Sequence, residues 1–421
     1  MKISFRNLGY LPYLAYKKLS QLPKVVSDFK PQFLSDETVS PTTGSIYAIV
    51  VCYSAFGVME DLIDLLRSLQ KNNVNAIVIC NGRPHPTALD RLRREAHRIL
   101  VRRNIGRDLG GYRAATLYLN AQALPVSRML YFNDSLIYLA GEELDRMIHK
   151  LAHGRHPVIG TFENHQFEHH IGSYAFSVIG DVFKHPKMLK FWRRYLPYDI
   201  RPYAINKGEV EISQRLKKLG YTIDVIYSLD RLGERMHKMD ASQLLDLIRY
   251  MPTTWRSLFI QRTQKGPLGP RIGLIEEFSE LPTAAPPPAP PGAVRAVPLS
   301  ASGDSRRLPR TEPAPDLPSA RSFYATRITL AKMALIDLII GEISVQSQIH
   351  AGFGVFHVLM KAPLVKKDLL QRGIYVEHDC NLILSDVPEG MRAMVLRQLI
   401  NRGRPIFFRG MKLFRVHHGF E

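Results

Sequence analysis

Residues Ile46–Tyr53, IYAIVVCY, form an uninterrupted apolar run, which predicts a strand buried on both faces. The next segment predicts a helix with one apolar face, because four leucines fall at i, i+3, i+4 and i+7: Leu62, Leu65, Leu66 and Leu69. Asn75–Cys80, NAIVIC, predicts a second strand that ends at the turn Asn81-Gly82. Together these segments predict a βαβ unit and therefore a parallel sheet.

The same alternation of apolar runs and amphipathic stretches continues outward from this unit, over residues 45–280. Further strands are predicted near residues 99–101, 128–132, 158–161, 171–179 and 221–227. We therefore predict an α/β domain over residues 45–280, with a mainly parallel sheet and helices on both faces.

The rest of the chain divides by composition. Residues 281–320 contain eleven prolines and no aromatic residue, so 281–322 is predicted to be an extended linker. Residues 323–421 should form a small α/β or mostly α module, whose role the sequence leaves open. We expect few contacts across the linker, so that this module is separable. Residues 1–44 form a basic, aromatic N-terminal extension.

The charge balance favours an anionic partner. The 421 residues include 57 Lys and Arg against 38 Asp and Glu, a net charge of +19. Such a surplus suits nucleic acid, a diphosphate-bearing ligand or an anionic membrane. Three cysteines, Cys52, Cys80 and Cys380, give neither a disulfide framework nor a zinc spacing.

The N-terminal sequence bears on location. No apolar run is long enough to span a membrane and no signal peptide is evident, so we expect a cytoplasmic protein. Residues 1–30 interleave lysines with aromatic side chains, which suits a peripheral anchor at the inner, anionic face of the membrane. An ordinary extension packed on the domain is the alternative.

Two polar motifs follow predicted strands. Asn104–Ala115, NIGRDLGGYRAA, places Arg107 in a glycine-bearing turn before a helix, where backbone N–H groups and a guanidinium could bind a phosphate. Asn133-Asp134-Ser135 follows the strand at 128–132, at the sheet edge where α/β proteins bind ligands. The alternative for this tripeptide is a purely structural turn. No G-x-G-x-x-G or P-loop pattern supports a dinucleotide-binding or P-loop domain.

The order of these elements resembles the nucleotide-sugar half of GT-A glycosyltransferases, which have a Rossmann-like fold. More closely, five segments resemble the rhamnan synthesis protein F family of bacterial glycosyltransferases: NIGRDLGGYRAA, YFNDS, HHIGSYAFSV, KFWRRY and GEVEISQRLKKLGY. The resemblance covers residues 46–227. It implies transfer of a sugar, with dTDP-L-rhamnose as the expected donor, to a growing or lipid-linked surface polysaccharide such as O-antigen, capsule or rhamnan.

The resemblance also implies site residues. GT-A enzymes commonly hold Mg²⁺ or Mn²⁺ with two carboxylates of a D-x-D motif, but only Asp134 matches here, so metal dependence stays open and Asp134 could instead bind the sugar directly. Implied donor contacts are Tyr53, Asn81, Asn104, Gly106, Arg107, Asp108, Asn133 and Ser135. His170, Ser173 and Tyr174 are implied on the acceptor side.

The general base is expected to be a carboxylate. Glu209 is the first candidate, with Glu163, Glu168 and Glu211 as alternatives. Glu209 could equally be a helix N-terminal residue that interacts with the dipole.

Two other functions remain open. The first is a noncatalytic scaffold of a polysaccharide assembly complex. The second is a nucleic-acid-binding protein, which is suggested by nine arginines within residues 83–113. The sequence has no zinc-finger, RNP or basic-zipper signature, however. Binding of nucleic acid is therefore not expected. The histidine-rich segment 165–170 lacks a zinc-protease spacing, so a dedicated zinc site is not expected either.

Overall fold

The computed structural model describes residues 10–166, 168–257 and 320–403. The strands found there are β1 (Phe33–Thr38), β2 (Ile46–Cys52), β3 (Asn75–Asn81), β4 (Arg98–Arg102), β5 (Arg128–Asn133), β6 (Leu136–Tyr138), β7 (Val158–Asn164), β8 (His170–Ile171), β9 (Ala175–Ile179), β10 (Ile223–Tyr227) and β11 (Leu364–Lys366). In this part of the chain, nine strands form one sheet in the order β1-β4-β3-β2-β5-β9-β7-β10, with β8 beside β7.

The sheet is mainly parallel. Strands β2, β3, β4 and β5 run in one direction, and β7 and β10 share it, because β9 is antiparallel to both β5 and β7. The chain passes from β2 outward to β3 and β4 and then returns to β5 on the other side of β2. The strand order therefore reverses beside β2, and this is where open α/β sheets form a ligand crevice.

The helices preceding the undescribed segment are α1 (Tyr10–Ser27), α2 (Glu60–Lys71), α3 (Pro86–Glu95), α4 (Arg107–Ala121), α5 (Glu142–His153), α6 (Gly180–Lys184), α7 (Pro186–Arg194), α8 (Arg201–Ala204), α9 (Glu211–Lys218), α10 (Leu229–His237) and α11 (Ala241–Asp246). A π-helical turn (Ile205–Val210) joins α8 to α9, and a 3₁₀ turn (Leu247–Tyr250) follows α11. The later helices are α12 (Ala320–Val345), α13 (Gln348–Ala351), α14 (Phe353–Met360), α15 (Glu377–Ile383) and α16 (Glu389–Asn401).

Two apolar layers cover the sheet. Alternate side chains of β2 point to opposite faces, as strand geometry requires. Val50 belongs to a core with Leu65 of α2 and Ile148 of α5, whereas Ile49 belongs to a core with Tyr112 of α4 and Leu216 of α9. The predicted fold class, an α/β fold with a mainly parallel sheet and helices on both faces, is confirmed.

A buried ion cluster ties the N-terminal segment to the sheet. The Asp28 carboxylate lies 3.1 Å from Nη2 of Arg102 and 3.6 Å from Nη1 of Arg113, and all three side chains are almost fully buried. Arg113 also donates to the backbone carbonyls of Asp28, Phe29 and Trp192 at 2.8–2.9 Å. Because two buried guanidiniums share one carboxylate, Asp28 links α1, β4 and α4.

The C-terminal segment packs closely on the first domain. Strand β11 pairs with β6, and α12 supplies Ile339 and Ile343 to the core that contains Val50. Gln398 of α16 donates to the buried Asp61 of α2 at 2.8 Å. The expectation that few contacts join the two parts is therefore wrong, because β6 and the α2 face are covered by residues from beyond the linker.

The domain boundaries stay predictions. Residues 281–319 of the predicted linker, like residues 1–9 and 404–421, lie outside the described residues. Within the described ranges, the C-terminal segment is mostly α-helical and begins in helix at residue 320. No helix in those ranges is long and apolar enough to cross a bilayer.

Asp28 gives a direct test of the buried cluster. Asp28→Asn leaves two buried cations without a counter-charge, so we expect the free energy of unfolding to fall by about 3–5 kcal/mol. Glu142→Gln is the control, because Glu142 is 87% exposed and pairs with the exposed Arg146, and such pairs contribute less than about 1 kcal/mol. Denaturant unfolding measures both. An equal loss of stability in both variants would show that the buried cluster contributes no more than an exposed ion pair.

Candidate active site

A cavity of about 300 Å³ opens at the carboxyl ends of β2, β3, β4 and β5. It is lined by Cys52, Tyr53, Asn81, Asn104, Arg107, Asp108, Asp134 and Asp199. All of these except Cys52 and Asp199 were implicated by the sequence motifs. The structure thus brings together residues from four strand ends, at the point where the strand order reverses.

The turn before α4 depends on two glycines. Gly106 has φ +77°, and a Cβ there would lie 2.3 Å from Cβ of Pro197. A Cβ on Gly111 would lie 2.8 Å from the methyl groups of Val51, so this glycine lets α4 approach β2. Arg107 itself has φ +55°, a left-handed conformation that is uncommon and costly for a residue with a side chain. The chain holds this strained residue at the rim of the cavity.

The N-terminus of α4 is capped by the protein itself. Oδ1 of Asp199 accepts hydrogen bonds from the backbone N–H of Gly106 at 2.7 Å and of Arg107 at 3.2 Å. Backbone N–H groups of this turn were expected to bind a phosphate, but the Asp199 carboxylate already accepts from these two. The guanidinium of Arg107 is exposed and makes no hydrogen bond or salt bridge with any described residue. It is the group of this turn that is available to an anion.

Asn81 holds the turn before α4 through hydrogen bonds of its side-chain amide. Its amide oxygen accepts a hydrogen bond from Nη1 of Arg102 at 2.7 Å, and its amide nitrogen donates to the carbonyl of Arg107 at 3.0 Å. Nη1 of Arg102 also donates to the carbonyl of Ile105 at 2.9 Å. Both ends of the Asn81 amide are thus engaged within the protein. The residue was expected to contact a ligand base, which stays a prediction; the structure shows that its amide positions the turn.

The tripeptide after β5 combines a turn with a cavity carboxylate. Oδ1 of Asn133 accepts hydrogen bonds from the N–H and hydroxyl of Ser135, which is the structural turn left open by the sequence. Asn133 is buried and does not line the cavity. Oδ2 of Asp134 accepts from the N–H of Tyr53 at 2.7 Å, which fixes the carboxylate at the end of β2. Asp134 therefore faces the cavity while its neighbours form the turn.

A second carboxylate lies near Asp134. Burial raises the pKa of Asp108 to about 6, and the charge of Asp134 adds to this effect, while Arg107 and Lys366 oppose it. The two acids come from different motifs, so the sequence did not show them as a pair. The cavity thus contains two neighbouring carboxylates, although the Asn-Asp-Ser segment has only one.

Lys366 enters the site from the C-terminal segment. Pairing of β11 with β6 sets Lys366 opposite Leu136, and its Nζ donates to Oγ of Ser135 at 2.7 Å. The same nitrogen lies 4.7 Å from the centre of the Tyr174 ring. Burial lowers the pKa of Lys366 to about 8, against the effect of Asp368 and Glu209. A cation that no motif predicted thus lies beside the Asn-Asp-Ser turn.

Glu209 lies in the π-helical turn, not at a helix N-terminus. Its Oε2 accepts from the N–H of Ser173 at 3.3 Å, and its charge contributes to the raised pKa values of Asp108 and Tyr174. A Cβ on Gly208 would lie 2.1 Å from Leu109, so this glycine lets the π-helical turn approach α4. π-Helical turns occur often at functional sites.

The other candidate bases have different neighbours. Glu211 pairs with Arg215 at 2.7 Å on α9. Glu163 contacts His169 and accepts from the N–H of Leu229. Glu168 lies on the exposed loop before β8. Among the four acids, Glu209 is therefore the one whose charge acts on Asp108.

The predicted acceptor-side residues separate into two groups. Ser173 and Tyr174 lie beside Glu209 and Lys366, through the contacts just described. His170 is 1% exposed, and its Nδ1 contacts the carbonyl of Glu168 at 2.7 Å. A buried ring of this kind packs within the protein and does not line an open surface.

Three residues near the cavity were not predicted from the sequence as site residues. Cys52 is the last residue of β2, so the strand pattern could have placed it at the edge. Asp199 lies in an irregular loop after α7, and Lys366 approaches Ser135 across 231 residues of sequence. No local pattern identifies those two.

Comparison with known proteins adds little to this geometry. No family model matches the chain. An uncharacterized protein, y4gN of Sinorhizobium fredii (strain NBRC 101917 / NGR234), is 23% identical over 207 residues, which are 48% of this chain and 54% of y4gN. The chain thus spans about half the length of the curated relative it matches. The resemblance to the rhamnan synthesis protein F family therefore rests on sequence motifs.

A solved structure gives a weak match. The apo-form glycosyltransferase GlyE of Streptococcus pneumoniae TIGR4 is 10% identical, with a TM-score of 0.25 over 43% of this chain and 45% of the GlyE chain. A likeness at that level carries no argument about activity. The fold assignment rests on the sheet and its helical layers, and the function must be argued from the cavity.

Asp108 predicts a pH-dependent stability. The folded protein holds the Asp108 proton more tightly than the unfolded chain, so this residue costs stability as the pH rises from about 4 to about 6, and the cost persists above that. Asp108→Asn should therefore stabilise the protein by up to about 3 kcal/mol near neutral pH and by little near pH 4. Unfolding in denaturant at both pH values measures this, with the exposed Asp90→Asn as control. An equal gain at both pH values would contradict the expectation.

Proposed function

We propose that this chain is a glycosyltransferase that binds a nucleoside diphosphate sugar in the cavity at the ends of β2–β5. The observation that carries the proposal is the convergence of Asp134, Asp108 and an unpaired Arg107 guanidinium around one cavity at the strand-order reversal. This is where an α/β sheet accommodates a nucleotide. The sequence resemblance to glycosyltransferases supports the same assignment.

The charges of the cavity favour a cation-dependent donor site. Asp108, Asp134 and Asp199 line it against one arginine, so a diphosphate alone would meet net negative charge. Oδ1 of Asp199 accepts from two backbone N–H groups and Oδ2 of Asp134 from one, so each of these acids keeps one oxygen without a hydrogen bond to any described residue. Asp134 and Asp108 would hold the cation, and carboxylate oxygens suit Mg²⁺ or Mn²⁺.

The cation and the residues around the cavity would have different roles. When bound, the cation would stabilise negative charge on the departing nucleoside diphosphate. Arg107 would bind a diphosphate oxygen, because its guanidinium has no competing partner among the described residues. Asn81 and Asp199 hold the backbone of the Arg107 turn, so they position the guanidinium without having to touch the donor.

Glu209 would serve as the general base. One of its oxygens is held by the N–H of Ser173, which leaves the other to accept the proton of an acceptor hydroxyl. Lys366 and the ring of Tyr174 lie on the same side and would border the acceptor. The hydroxyl would then attack the anomeric carbon as the bond to the diphosphate breaks.

An exposed aromatic pair lies at the rim of the cavity. Tyr53 lines the cavity, and Phe56, which is 91% exposed, lies 6.1 Å from it between ring centres. An exposed aromatic ring at a cavity rim suits stacking on a planar base. We propose dTDP-L-rhamnose as the donor on the strength of the family resemblance, and a growing or lipid-linked surface polysaccharide as the acceptor.

Helix α1 supports a location at a membrane surface. Its inner face packs Leu14 and Val25 against Tyr198 and Ile200. Its outer face carries exposed apolar side chains at helical spacing, Leu11, Tyr16, Leu19, Leu22 and Val26. The helix contains three lysines and no acidic residue. We propose that this outer face docks on the anionic inner surface of the cytoplasmic membrane, where a lipid-linked acceptor would be found.

A scaffold role and nucleic-acid binding are less well supported. A noncatalytic scaffold has no need of a buried Asp108 with a raised pKa beside a second carboxylate in a cavity. A phosphodiester backbone would be repelled by the same acids. Binding of donor without any turnover, across a panel of nucleotide sugars, would favour the scaffold.

Asp134→Asn tests the enzyme proposal. The asparagine oxygen can still accept from the N–H of Tyr53, so the fold should be retained while the charge is lost. We expect sugar transfer to fall by about a hundredfold to a thousandfold, which corresponds to about 3–4 kcal/mol of transition-state stabilisation. Release of nucleoside diphosphate from a panel of sugar donors, with Mg²⁺ or Mn²⁺ present and after chelation, measures this.

A matched control is Asp90→Asn, which changes a 64% exposed carboxylate on α3. It should leave the transfer rate unchanged. A folded Asp134→Asn variant that is as active as Asp90→Asn would remove Asp134 from the mechanism. A wild-type protein that is insensitive to chelation would instead support direct sugar recognition by Asp134.

The outer face of α1 is tested with Leu11→Ser, Leu19→Ser and Leu22→Ser combined. These side chains are exposed, so the fold should tolerate the change, and binding to vesicles that contain phosphatidylglycerol should fall at least about tenfold. Leu34→Ser on β1 is the matched control, because Leu34 and Leu11 are both 55% exposed. Vesicle co-sedimentation at low and high salt measures the binding. Unchanged sedimentation of the triple variant would end the docking proposal.

A further inference from the structure

A second cluster of possible metal ligands lies at the same edge of the sheet as the cavity. Strand β7 runs parallel to β5, and Glu163 lies near its carboxyl end. The following loop brings back His165 and His169, whose Nε2 atoms lie 3.7 Å and 2.7 Å from Oε2 of Glu163. Three side chains therefore converge on one point, and none of them belongs to the proposed donor site.

We propose that Glu163, His165 and His169 bind a zinc ion or a similar transition-metal ion. Their three ligand atoms lie within 4.8 Å of one another. Zinc ligands lie about 2.0–2.2 Å from the ion, which sets them about 3.3 Å apart in a tetrahedron. Side-chain movements of about 1 Å or less would therefore convert the present arrangement into three ligands of a zinc site.

The Glu163 carboxylate is held in a fixed orientation. Its second oxygen, Oε1, accepts a hydrogen bond from the backbone N–H of Leu229 at 3.0 Å, which orients the group as outer partners orient metal ligands. The side chain of Glu163 is only 11% exposed, whereas the two rings are more open to solvent. A fixed carboxylate with two partly exposed imidazoles provides both an anchor and a path of entry.

The ligand set selects the class of metal. Two imidazole nitrogens and one carboxylate oxygen suit Zn²⁺, Co²⁺ or Ni²⁺ better than Mg²⁺ or Ca²⁺, which prefer oxygen. The proposed donor site has the opposite preference. The two sites can therefore be distinguished by the metal they bind, and the zinc proposal does not depend on the glycosyltransferase proposal.

One neighbour opposes the ion. Nζ of Lys217 lies 2.6 Å from Nδ1 of His169, so an added cation would meet a positive charge there. Metal binding through Nε2 also requires the ring proton to sit on Nδ1, which needs an acceptor. Lys217→Gln removes the charge and offers an amide oxygen. This variant should bind the ion more tightly than the wild type.

The ion would fix the loop that leads to β8 and then to Ser173 and Tyr174. In the structure, His169 contacts Glu163 and Lys217, and its carbonyl accepts from Gln214 and Lys217. Three metal bonds would join this loop to the end of β7. We thus assign the ion a structural role beside the acceptor side of the proposed site.

The test measures zinc binding to the full chain by equilibrium dialysis and the visible spectrum of the Co²⁺ form. We expect one tight site, a rise in melting temperature with Zn²⁺, and a tetrahedral Co²⁺ spectrum. The double variant His165→Gln, His169→Gln should lose this site by at least about a hundredfold in affinity. Lys217→Gln should gain affinity severalfold, and Asp134→Asn should leave it unchanged.

The control is a second histidine pair. His149 and His153 lie on α5 with ring centres 4.7 Å apart, and the structure shows no Glu or Asp completing a three-ligand group with them in the described ranges. The variant His149→Gln, His153→Gln should retain the tight site. Equal loss in both double variants, a wild type that binds no Zn²⁺ at micromolar concentration, or unchanged binding in the 165/169 variant would each overturn the proposal.

Discussion

The Asp28 carboxylate pairs with two buried guanidiniums, and the floor of the cavity depends on that interaction. Arg102 holds both Asn81 and the Ile105 carbonyl, and Asn81 in turn holds the backbone of Arg107. Burial lowers the pKa of Arg102 even with Asp28 beside it, so without that carboxylate the charged side chain would be costly to keep in place. The position of the cavity arginine is thus set by an acid that lies at the end of α1, outside the sheet.

The chemistry of the cavity also carries a cost in stability. Asp108 and Asp134 lie close enough for one charge to raise the pKa of the other, and Glu209 adds to it. Lys366 offsets part of this repulsion, although its own burial lowers its pKa to about 8. Arg107 adds a left-handed backbone. Groups that oppose folding persist where function requires them, and here they gather around one cavity.

Sequence reasoning located most of the cavity for a physical reason. Carboxyl ends of parallel strands meet at one edge, so polar residues after Cys52, Cys80 and Arg128–Asn133 had to approach one another. Periodicity also gave the fold class. It could not give Lys366, because the pairing of β11 with β6 is a long-range contact across a proline-rich segment. Nor could it show that Asp199, in an irregular loop, would take the N–H groups expected to bind phosphate.

Helix α1, whose outer face is the proposed membrane face, also contacts residues at the cavity. Oε1 of Gln21, on the inner side of α1, accepts from the N–H of Asp199 at 2.7 Å, and Asp199 caps the Arg107 turn. Asp28 makes the second connection, through Arg102. Because α1 is joined to the cavity wall at both points, a membrane that binds its outer face would also fix the orientation of the donor site. A lipid-linked acceptor would then approach a cavity whose arginine is held by the helix that lies on the lipid.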